Sequence, residues 1–472
     1  MTKHVVVIGG GPAGTAAAAA ALRSGATVTL IDANETLGGQ YNRRIPAAYG
    51  VRNPLRIGHG YVAAQRLGWQ LSEHPRCEYL SWAAVYQIER APDGGCPIVR
   101  LWQGIEGERR THREIRGDAL ILATGAYDRV CPFPGWDLPG VYTAGAAQTL
   151  AKTQRLLVGK SVLLSGTGPF LLPVAQSLIT GGARVQAILE ANPASRIARE
   201  WLTRPWELRH SAGKAAELTE YAAAGIRHRV PLHTAHAVVA VAGAGRAEEA
   251  TIARLDENWA PIPGTQHTVP VDAVAVSHGF TPQHELAVAA GAALAADGFV
   301  QVDDQQHTSA ESVWAAGELT GIGGAQVAAI EGTVAGLAAA DAPLGRGLRA
   351  RQRTAGQFVA RLAAAHPIRP GVLTWARADT VCCRCEGTTH AELTAEWSRT
   401  TGGGYRPMKL ATRAGLGPCQ GRMCAANIEA LRRHSCPDGT DMPGLAAATP
   451  AWRPLAAPVR LRELADLDNE GS

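Results

Sequence analysis

Six of the nine cysteines in this 472-residue chain lie between Cys382 and Cys436. Four of them form two short spacings, CxC and CxxxxC, and are Cys383, Cys385, Cys419 and Cys424. Clustered cysteines in a chain without a visible secretory signal indicate a metal site rather than disulfides. Four thiolates can surround a tetrahedral ion or a cluster, and spacing alone does not separate zinc from iron. Cys382 is an alternative to Cys383 in the ligand set.

Arginines and glycines accompany these cysteines. Arg384, Arg413 and Arg422 would offset the negative charge that four thiolates bring together. Glycines free backbone N–H groups to donate hydrogen bonds to sulfur, which raises the potential of a bound cluster. Cys436 has no partner in this pattern.

A second candidate site lies near the N-terminus, where glycines and an acid follow the apolar run Val5 to Ile8. The run is typical of a strand buried in a parallel sheet. The glycine motif GxGxxG comprises Gly9, Gly11 and Gly14, with Pro12 and Ala13 between them. These glycines allow a tight turn, close approach of a phosphate, and close packing of the helix that follows. Asp32 ends the next strand, where its carboxylate can accept ribose hydroxyls. Together these features predict a dinucleotide-binding unit whose helix N-terminus faces the pyrophosphate.

Residues 161–190 repeat this order of strand, glycine turn, helix, strand and terminal acid. Gly166 and Gly168 are present, but Leu171 stands where the third glycine belongs, so we expect an altered phosphate pocket. Glu190 can hold a ribose and disfavours a 2′-phosphate, which favours NAD(H) over NADP(H). The alternative is a retained scaffold that binds nothing or a different adenine nucleotide.

Composition limits the class of protein. The net charge is +5, with basic and acidic residues interspersed, which does not indicate a nucleic-acid partner. No secretory signal is visible, and no apolar run approaches the roughly 18 residues that span a bilayer. We expect a cytoplasmic protein without a transmembrane segment. His278 follows a predicted strand, and a lone histidine there is more often structural than a catalytic base.

Three later segments resemble the two-dinucleotide-domain flavoproteins, which have a glutathione-reductase-like fold. They are Gly38 to Gln40, Asp118 to Gly125 and Val313 to Glu318. The resemblance implies that the first unit binds FAD with the further residues Gly39, Gln40, Ala123, Thr124, Gly125, Gly317 and Glu318. The family usually has aspartate where this chain has Glu318, one methylene longer. Gln326 opens another helix whose N-terminus would face the flavin.

The C-terminal pattern CRCE…GPCQGRMC resembles the [2Fe-2S] domain of bacterioferritin-associated ferredoxin. The whole arrangement resembles the large electron-transfer subunit of hetero-oligomeric bacterial amino-acid dehydrogenases. That group includes the A-type subunit of opine oxidase, a hydrogen cyanide synthase subunit, and the alpha subunits of proline and hydroxyproline dehydrogenases. Residues 135–148, GWDLPGVYTAGAAQ, fit the group closely.

The expected fold is therefore α/β, with two nested Rossmann-like dinucleotide-binding domains and a small C-terminal ferredoxin-like [2Fe-2S] domain. The predicted limits are 1–150 and 268–345 for the FAD domain, 151–267 for the second nucleotide domain, 346–372 for a linker helix, 373–440 for the [2Fe-2S] domain and 441–472 for a tail. Neither Tyr41 to Tyr49 nor the stretch between Cys131 and Cys382 contains a cysteine, so we expect no redox-active pair like that of thioredoxin- or glutathione-type disulfide reductases.

The resemblance implies an FAD-dependent oxidoreductase subunit. A partner beta subunit with its own FAD would oxidise an amino acid or opine to an imine, and the hetero-oligomer can include a small ferredoxin-like gamma subunit. Electrons would reach an acceptor through FAD and the [2Fe-2S] cluster of this chain. One alternative is a self-contained NADH-dependent FAD/[2Fe-2S] reductase. Another is a non-catalytic scaffold subunit stabilised by zinc.

Overall fold

A computed structural model describes residues 2–50, 60–91, 95–203, 225, 227–400, 405–436 and 455–470. The chain divides into two compact units. Unit 1 comprises Met1–Ala126, Pro282–Val359 and Ala451–Ser472, and unit 2 comprises Tyr127–Thr281 and Ala360–Pro450. The sequence predicted that the first domain ends at residue 150 and resumes at residue 268.

The described chain contains both helices and strands, with two long runs of consecutive strands, β3 to β9 in residues 77–143 and β12 to β17 in residues 232–282. The helices are α1 Pro12–Arg23, α2 Tyr61–Ser72, α3 Ala144–Thr153, α4 Leu171–Gly181, α5 Ala194–Leu202, α6 Glu285–Ala290, α7 Ala325–Ala339, α8 Arg346–Ala365, α9 His390–Arg399, α10 Tyr405–Thr412, α11 Ala425–Ser435 and α12 Leu461–Glu470. The strands are β1 His4–Ile8, β2 Thr27–Ile31, β3 Cys77–Leu80, β4 Ala83–Glu89, β5 Ile98–Gln103, β6 Thr111–Ile115, β7 Ala119–Leu122, β8 Ala126–Asp128, β9 Val141–Thr143, β10 Ser161–Gly166, β11 Arg184–Glu190, β12 Leu232–Thr234, β13 His236–Ala242, β14 Glu249–Arg254, β15 His267–Pro270, β16 Ala273–Ser277, β17 Phe280–Pro282, β18 Val313–Ala315, β19 Val381–Cys383 and β20 Thr388–Thr389.

Unit 1 is built on a parallel sheet in the order β18-β7-β1-β2-β3. The apolar strands β1 and β7 are buried, as their continuous hydrophobic runs predict. Ile8 lies opposite both Ile31 and Leu122, so these strands end at one edge. That edge carries the residues that follow each strand, and they include the predicted glycine turn and Asp32. A separate antiparallel sheet contains β4, β5 and β6.

Helices α1 and α7 pack closely because small residues line their contact. A Cβ at Gly332 would lie 2.0 Å from the carbonyl oxygen of Ala13, and one at Gly336 would lie 2.2 Å from that of Ala17. Any side chain at these two glycines would therefore push the helices apart. The contact fixes α1, whose N-terminus follows the glycine turn, against the helix that follows β18.

Unit 2 contains a second parallel sheet in the order β12-β11-β10-β16-β9. Strands β9 and β16 lie outside the predicted limits of 151–267, yet Ala273 pairs with Val162 and Val276 with Thr143. The limits of unit 2 are wider because these two strands complete its sheet. An antiparallel sheet of β13, β14 and β15 belongs to the same unit.

The C-terminal cysteine segment also belongs to unit 2. Its hairpin of β19 and β20 lies beside a Pro- and Gly-rich connector, residues 132–140, that follows β8. The indole nitrogen of Trp136 donates a hydrogen bond to the carbonyl of Val381 at 2.6 Å. The guanidinium of Arg384 lies 5.8 Å from the Trp136 ring centre and donates to the carbonyl of Asp137. The connector therefore anchors the loop that carries the CxC cysteines.

Helix α8 lies within the segment predicted as a linker helix. Of the predicted tail, the structure describes residues 455–470, which are part of unit 1. The backbone N–H of Ala456 donates to the carbonyl of Tyr86, and Glu463 forms a two-bond ion pair with Arg110. Among the described helices, none has the length and apolar character that crossing a membrane requires.

Candidate nucleotide and cysteine sites

Asp32 lies at the carboxyl edge of the first sheet with part of its acceptor capacity unused. One carboxylate oxygen accepts a hydrogen bond from the backbone N–H of Gly10. The other accepts from the backbone and side-chain nitrogens of Asn34, at 2.7 and 2.8 Å. An ionised carboxylate offers about four acceptor positions, so three donors leave room for one ribose hydroxyl.

Backbone atoms of unit 1 lie so close to the glycine motif that a side chain would clash with them at several of its positions. Gly9 has φ +106°, and a Cβ there would meet the carbonyl oxygen of Ala123 at 2.2 Å. A Cβ at Gly14 would meet the carbonyl oxygen of Gly9 at 1.7 Å. Gly39 packs in the same way against Gly11, with 2.7 Å from its Cβ position to the Gly11 Cα. The turn and the start of α1 therefore have the close approach that a pyrophosphate needs.

The other predicted FAD residues of unit 1 lie on neighbouring strand ends and helix starts. Ala123 follows β7, and the Thr124 hydroxyl donates to the carbonyl of Gln283 at 2.7 Å. Gly125 has φ +78° with open space around its Cβ position. Gln40 and Gln326 are exposed, and Gln326 is the second residue of α7. These positions suit an FAD molecule lying along this sheet edge.

Glu331 was not singled out from the sequence. Its carboxylate accepts from the backbone N–H of Gly317 at 2.9 Å and from the Thr320 hydroxyl at 3.2 Å. Burial, with repulsion from Glu318, raises the pKa of Glu331 to about 7. Its sequence signal is a single acid within the otherwise small and apolar helix α7. Glu331 fixes the turn on which the predicted ribitol-binding residues Gly317 and Glu318 lie.

Glu190, the acid of the second nucleotide unit, is saturated by donors of its own unit. One oxygen accepts from the Thr167 hydroxyl and from both nitrogens of Asn192, at 2.9 to 3.2 Å. The other accepts from the backbone N–H of Gly168 at 2.7 Å and from Nδ1 of His366 at 3.2 Å. Five donors exceed the roughly four acceptor positions of a carboxylate. Burial raises the pKa of Glu190, but the bonds from His366, Asn192 and Gly168 outweigh it and lower that pKa.

The phosphate end of the second unit also differs from the first. Helix α1 begins one residue after Gly11, whereas α4 begins at Leu171, three residues after Gly168. Leu171 is buried in the apolar core beside the sheet. Two turn hydrogen bonds, from Leu171 to the carbonyl of Gly168 and from Leu172 to that of Pro169, precede α4, so regular α-helical bonding starts later here than in α1.

The structure brings the four predicted cysteines together. The sulfur atoms of Cys383 and Cys424 lie 3.8 Å apart. Cys419 is in hydrogen-bond contact with both Cys424 and Cys385. Cys382 is buried, and its sulfur donates to the carbonyl of Thr380 instead. The sulfur contacts thus join the set that the spacing predicted, with Cys383 rather than Cys382.

Backbone N–H groups surround these sulfurs. Gly415 donates to the Cys383 sulfur at 3.4 Å, and the N–H groups of Gly421 and Met423 donate to Cys419. The hydrogen bond from Cys424 lowers the pKa of Cys383 to about 6 and that of Cys419 to about 5. Two thiolates are therefore favoured near neutral pH, which is the state in which cysteine binds metal.

The sulfur separation fits two ligands on one metal. A tetrahedral centre with metal–sulfur bonds of about 2.3 Å places its sulfurs about 3.8 Å apart. Within the described residues, no three histidine, cysteine, aspartate or glutamate side chains surround one point closely enough to hold a metal ion. The sulfur contacts instead form a chain, from Cys383 through Cys424 and Cys419 to Cys385.

His278 is a structural residue. It is fully buried, and its Nδ1 accepts a hydrogen bond from the backbone N–H of Cys131 at 3.0 Å. The rings of Trp259 and Trp375 lie against it. Burial, with the nearby charge of Arg129, lowers the pKa of His278 to about 3. A neutral, enclosed imidazole of this kind supports the packing of unit 2.

A family model for pyridine nucleotide-disulphide oxidoreductases matches residues 3–332. The chain belongs to the pyridine nucleotide-disulphide oxidoreductase family. Hydrogen cyanide synthase subunit HcnB of Pseudomonas aeruginosa is 32% identical over 450 residues, covering 90% of this chain and 91% of that protein. The A-type subunit of opine oxidase from Agrobacterium tumefaciens is 31% identical over 494 residues, covering 98% of this chain and 91% of that protein.

Two solved structures show the same fold. L-proline dehydrogenase from P. horikoshii matches with a TM-score of 0.66 and 18% identity, covering 98% of this chain and 79% of that one. T. acidophilum thioredoxin reductase matches with a TM-score of 0.51 and 20% identity, covering 72% of this chain and 98% of that one. The α/β FAD/NAD-binding fold and the predicted resemblance to the hydrogen cyanide synthase and opine oxidase subunits are confirmed. The [2Fe-2S] domain stays a prediction.

Proposed function

We propose that this chain is the electron-transfer subunit of a hetero-oligomeric, FAD-dependent amino-acid or opine dehydrogenase, with a [2Fe-2S] cluster held by its C-terminal cysteines. The observation that carries the proposal is the convergence of Cys383, Cys385, Cys419 and Cys424, under backbone N–H donors, in an FAD oxidoreductase. The relatives named above are oxidase and synthase subunits, which supports a partner subunit for this chain.

The residues of unit 1 would hold FAD by its polar groups. Asp32 would accept a ribose hydroxyl, and the turn at Gly11 with the start of α1 would bind the pyrophosphate. Glu331 would keep the turn at Gly317 in place beside the ribitol. A bound flavin accepts two electrons at once and releases them singly, which suits a junction between amine oxidation and one-electron transfer.

The second nucleotide unit distinguishes this proposal from a self-contained NADH reductase. Glu190 has no acceptor position left for a ribose, and α4 begins too late to cradle a pyrophosphate as α1 does. Electrons would therefore enter from a partner that oxidises the substrate. Oxidation of an amine C–N bond to an imine releases two electrons and two protons. The partner would take them up first and would then pass the electrons to this chain.

Anaerobic purification of the native complex tests the proposal. We expect co-elution of a substrate-oxidising chain, bound FAD, and about two iron and two acid-labile sulfide atoms per copy of this chain. Addition of an amino acid or opine substrate should bleach the visible spectrum, whereas NADH should not. Electron paramagnetic resonance of the reduced complex should give a [2Fe-2S] signal.

Cysteine variants provide the control. Cys419→Ser should lose iron and sulfide, while Cys436→Ser in the same part of the chain should retain both. A colourless chain with one zinc per copy would overturn the iron-sulfur assignment and favour a scaffold. Rapid bleaching of the isolated chain by NADH would overturn the partner-dependent function.

A further inference from the structure

Tyr405 is a buried phenol in the cysteine-bearing part of unit 2. It begins α10, is 9% exposed, and its hydroxyl oxygen is shielded from solvent. Its ring belongs to the same apolar core as two of the predicted metal ligands, Cys383 and Cys424. Burial of a hydroxyl costs free energy, whereas phenylalanine would bury the same ring without that cost.

The Tyr405 hydroxyl lies against the loop that carries Cys419. A Cβ at Gly415 would meet the Tyr405 hydroxyl oxygen at 2.2 Å and the Cα of Gly421 at 3.7 Å. The hydroxyl therefore occupies the space that a side chain at Gly415 would need, close to Gly421. Both glycines have positive φ, +83° and +81°, which other residues rarely adopt. Neither position accepts a side chain without strain.

These two glycines supply backbone N–H donors to sulfur. Gly415 donates to Cys383 at 3.4 Å, and Gly421 donates to Cys419. The Tyr405 hydroxyl thus packs where the donors of two cysteines meet. N–H groups that point at sulfur stabilise the extra negative charge of a reduced cluster, so their hydrogen bonds raise its potential.

The start of this loop is fixed to the helix that carries Tyr405. The Thr412 hydroxyl donates to the carbonyl of Met408 at 2.8 Å. The same hydroxyl accepts from the backbone N–H of Ala414 at 3.3 Å. These bonds brace the end of α10 and the residue before Gly415, so the phenol and the glycine are held in one local framework.

We propose that Tyr405 is a positioning residue for the iron-sulfur centre, which keeps the Gly415 and Gly421 donors on their sulfurs and thereby raises the potential of the centre. This inference rests on the proposed [2Fe-2S] function and names a residue that sets the potential of that site. Removal of the phenol oxygen would open space beside Gly415 and let its N–H withdraw from Cys383. No bond forms and no proton moves, and only the equilibrium between the oxidised and reduced centre shifts.

Tyr405→Phe tests the hydroxyl alone. In the anaerobically purified complex we expect the variant to keep about two irons and two sulfides per chain. The equilibrium should shift roughly tenfold toward the oxidised centre. For a one-electron couple this is a fall of about 59 mV in midpoint potential, measured by redox titration with electron paramagnetic resonance. Tyr142→Phe, on β9 of the same unit, is the matched control and should leave the potential unchanged.

Pulsed electron paramagnetic resonance reports on the position of the donors. In ¹⁵N-labelled protein, the reduced centre of Tyr405→Phe should couple more weakly to a peptide nitrogen than that of the wild type. The physical reason is the longer hydrogen bond from Gly415 to Cys383. A hydroxyl that only fills space in the core would leave this coupling unchanged.

A rescue experiment tests the packing of the hydroxyl on Gly415. Gly415→Ala places a methyl group where the hydroxyl lies and should lose iron and sulfide. Tyr405→Phe/Gly415→Ala removes that clash, because the next ring atom, Cζ, lies 3.4 Å from the Cβ position. The double variant should therefore regain part of its iron, and this non-additivity would show direct contact between the two positions.

Four results would contradict the inference. An unchanged potential in Tyr405→Phe with iron retained would show that the hydroxyl does not act on the centre, and the proposed function would stand. Equal iron loss in Gly415→Ala and in the double variant would deny the packing. Loss of iron in Tyr405→Phe, with a lower melting temperature of the metal-free chain, would assign the hydroxyl to folding. Zinc in place of iron and sulfide in the wild type would overturn both the proposed function and this role, since zinc has no redox potential to set.

Discussion

Asp32 and Glu190 occupy the same place in two repeated units, and each is followed by alanine and asparagine. The asparagine binds the acid in both units. The units differ at two donors, since Thr167 stands where the first unit has Gly10, and His366 contributes a side chain from α8's C-terminal end. Two side chains thus decide whether the carboxylate can accept a ribose.

Removal of those two donors should open the second site. In Thr167→Gly/His366→Ala, Glu190 keeps three donors, as Asp32 does, and regains an acceptor position. We expect the Kd for NADH to be at least tenfold lower than that of the wild type, measured by fluorescence titration of the FAD-loaded protein. His366→Gln, which retains a donor, is the control. Equal NADH affinity in all three proteins would show that Glu190 does not control the site.

Glu331 should make stability depend on pH. Its pKa rises from an ordinary 4.5 to about 7 in the folded protein. The folded state therefore keeps a proton that the unfolded state releases, and the free energy of unfolding falls as pH rises from about 4.5 to 7, by roughly 3 kcal/mol. Glu331→Gln retains an acceptor for Gly317 and should lose this slope, as thermal melting between pH 5 and 8 would show. Parallel melting profiles would contradict the raised pKa.

At the scale of elements, the contact of α1 with α7 determines where the nucleotide-binding turn lies. Gly332 and Gly336 are spaced four apart, so they lie on one face of α7, and their lack of side chains permits the contact. Neither glycine was predicted to matter from the sequence, because the residues they touch are more than 300 positions earlier.

Gly336→Ala should separate the two helices and weaken FAD retention. Its added Cβ would lie 2.2 Å from the Ala17 carbonyl oxygen, and such overpacking costs about 1–3 kcal/mol. Gly356→Ala is the matched control, since no atom lies within 4 Å of that Cβ position in α8. The control should be neutral or stabilising by about 0.5–1 kcal/mol. Equal losses of FAD and melting temperature in both variants would contradict this packing.

The sequence predicted features that depend on neighbouring residues. The glycine turn, Asp32 and the cysteine pairs are short motifs whose geometry follows from local spacing. The sequence did not predict three hydrogen bonds. They join Glu331 to Gly317, His366 to Glu190, and Trp136 to Val381. Each of these contacts depends on how distant segments pack. The limits of unit 2 differ from the predicted 151–267 for the same reason. Strands β9 and β16 lie outside that stretch of sequence but pair with strands inside it.

At the scale of the whole chain, the tail returns to unit 1. Arg110 and Glu463 form a two-bond ion pair in which each side chain is 9% exposed, and Glu463 accepts a further bond from the backbone of Arg460. The hydrogen bonds from Arg110 lower the pKa of Glu463. The pair fastens the last described helix, α12, to β6 and its neighbours.

Loss of this ion pair should destabilise unit 1. Glu463→Gln removes the negative charge that pairs with the largely buried Arg110 guanidinium. We expect this to lower the free energy of unfolding by about 2 kcal/mol. Asp341→Asn removes the exposed Lys3–Asp341 pair and should cost less than about 1 kcal/mol. Chemical denaturation followed by flavin fluorescence would compare them. Equal costs would show that the tail contact is as weak as a surface ion pair.

The position of β18 determines when the first sheet can be completed during synthesis. This strand pairs with β7, yet 190 residues separate Leu122 from Val313, and all of the first segment of unit 2 is translated between them. On the ribosome, the edge of β7 stays open until residues 313–315 emerge. Unit 2's contiguous stretch can fold first, and the sheet that would hold the flavin can close only after β18, Val313–Ala315, has been synthesised.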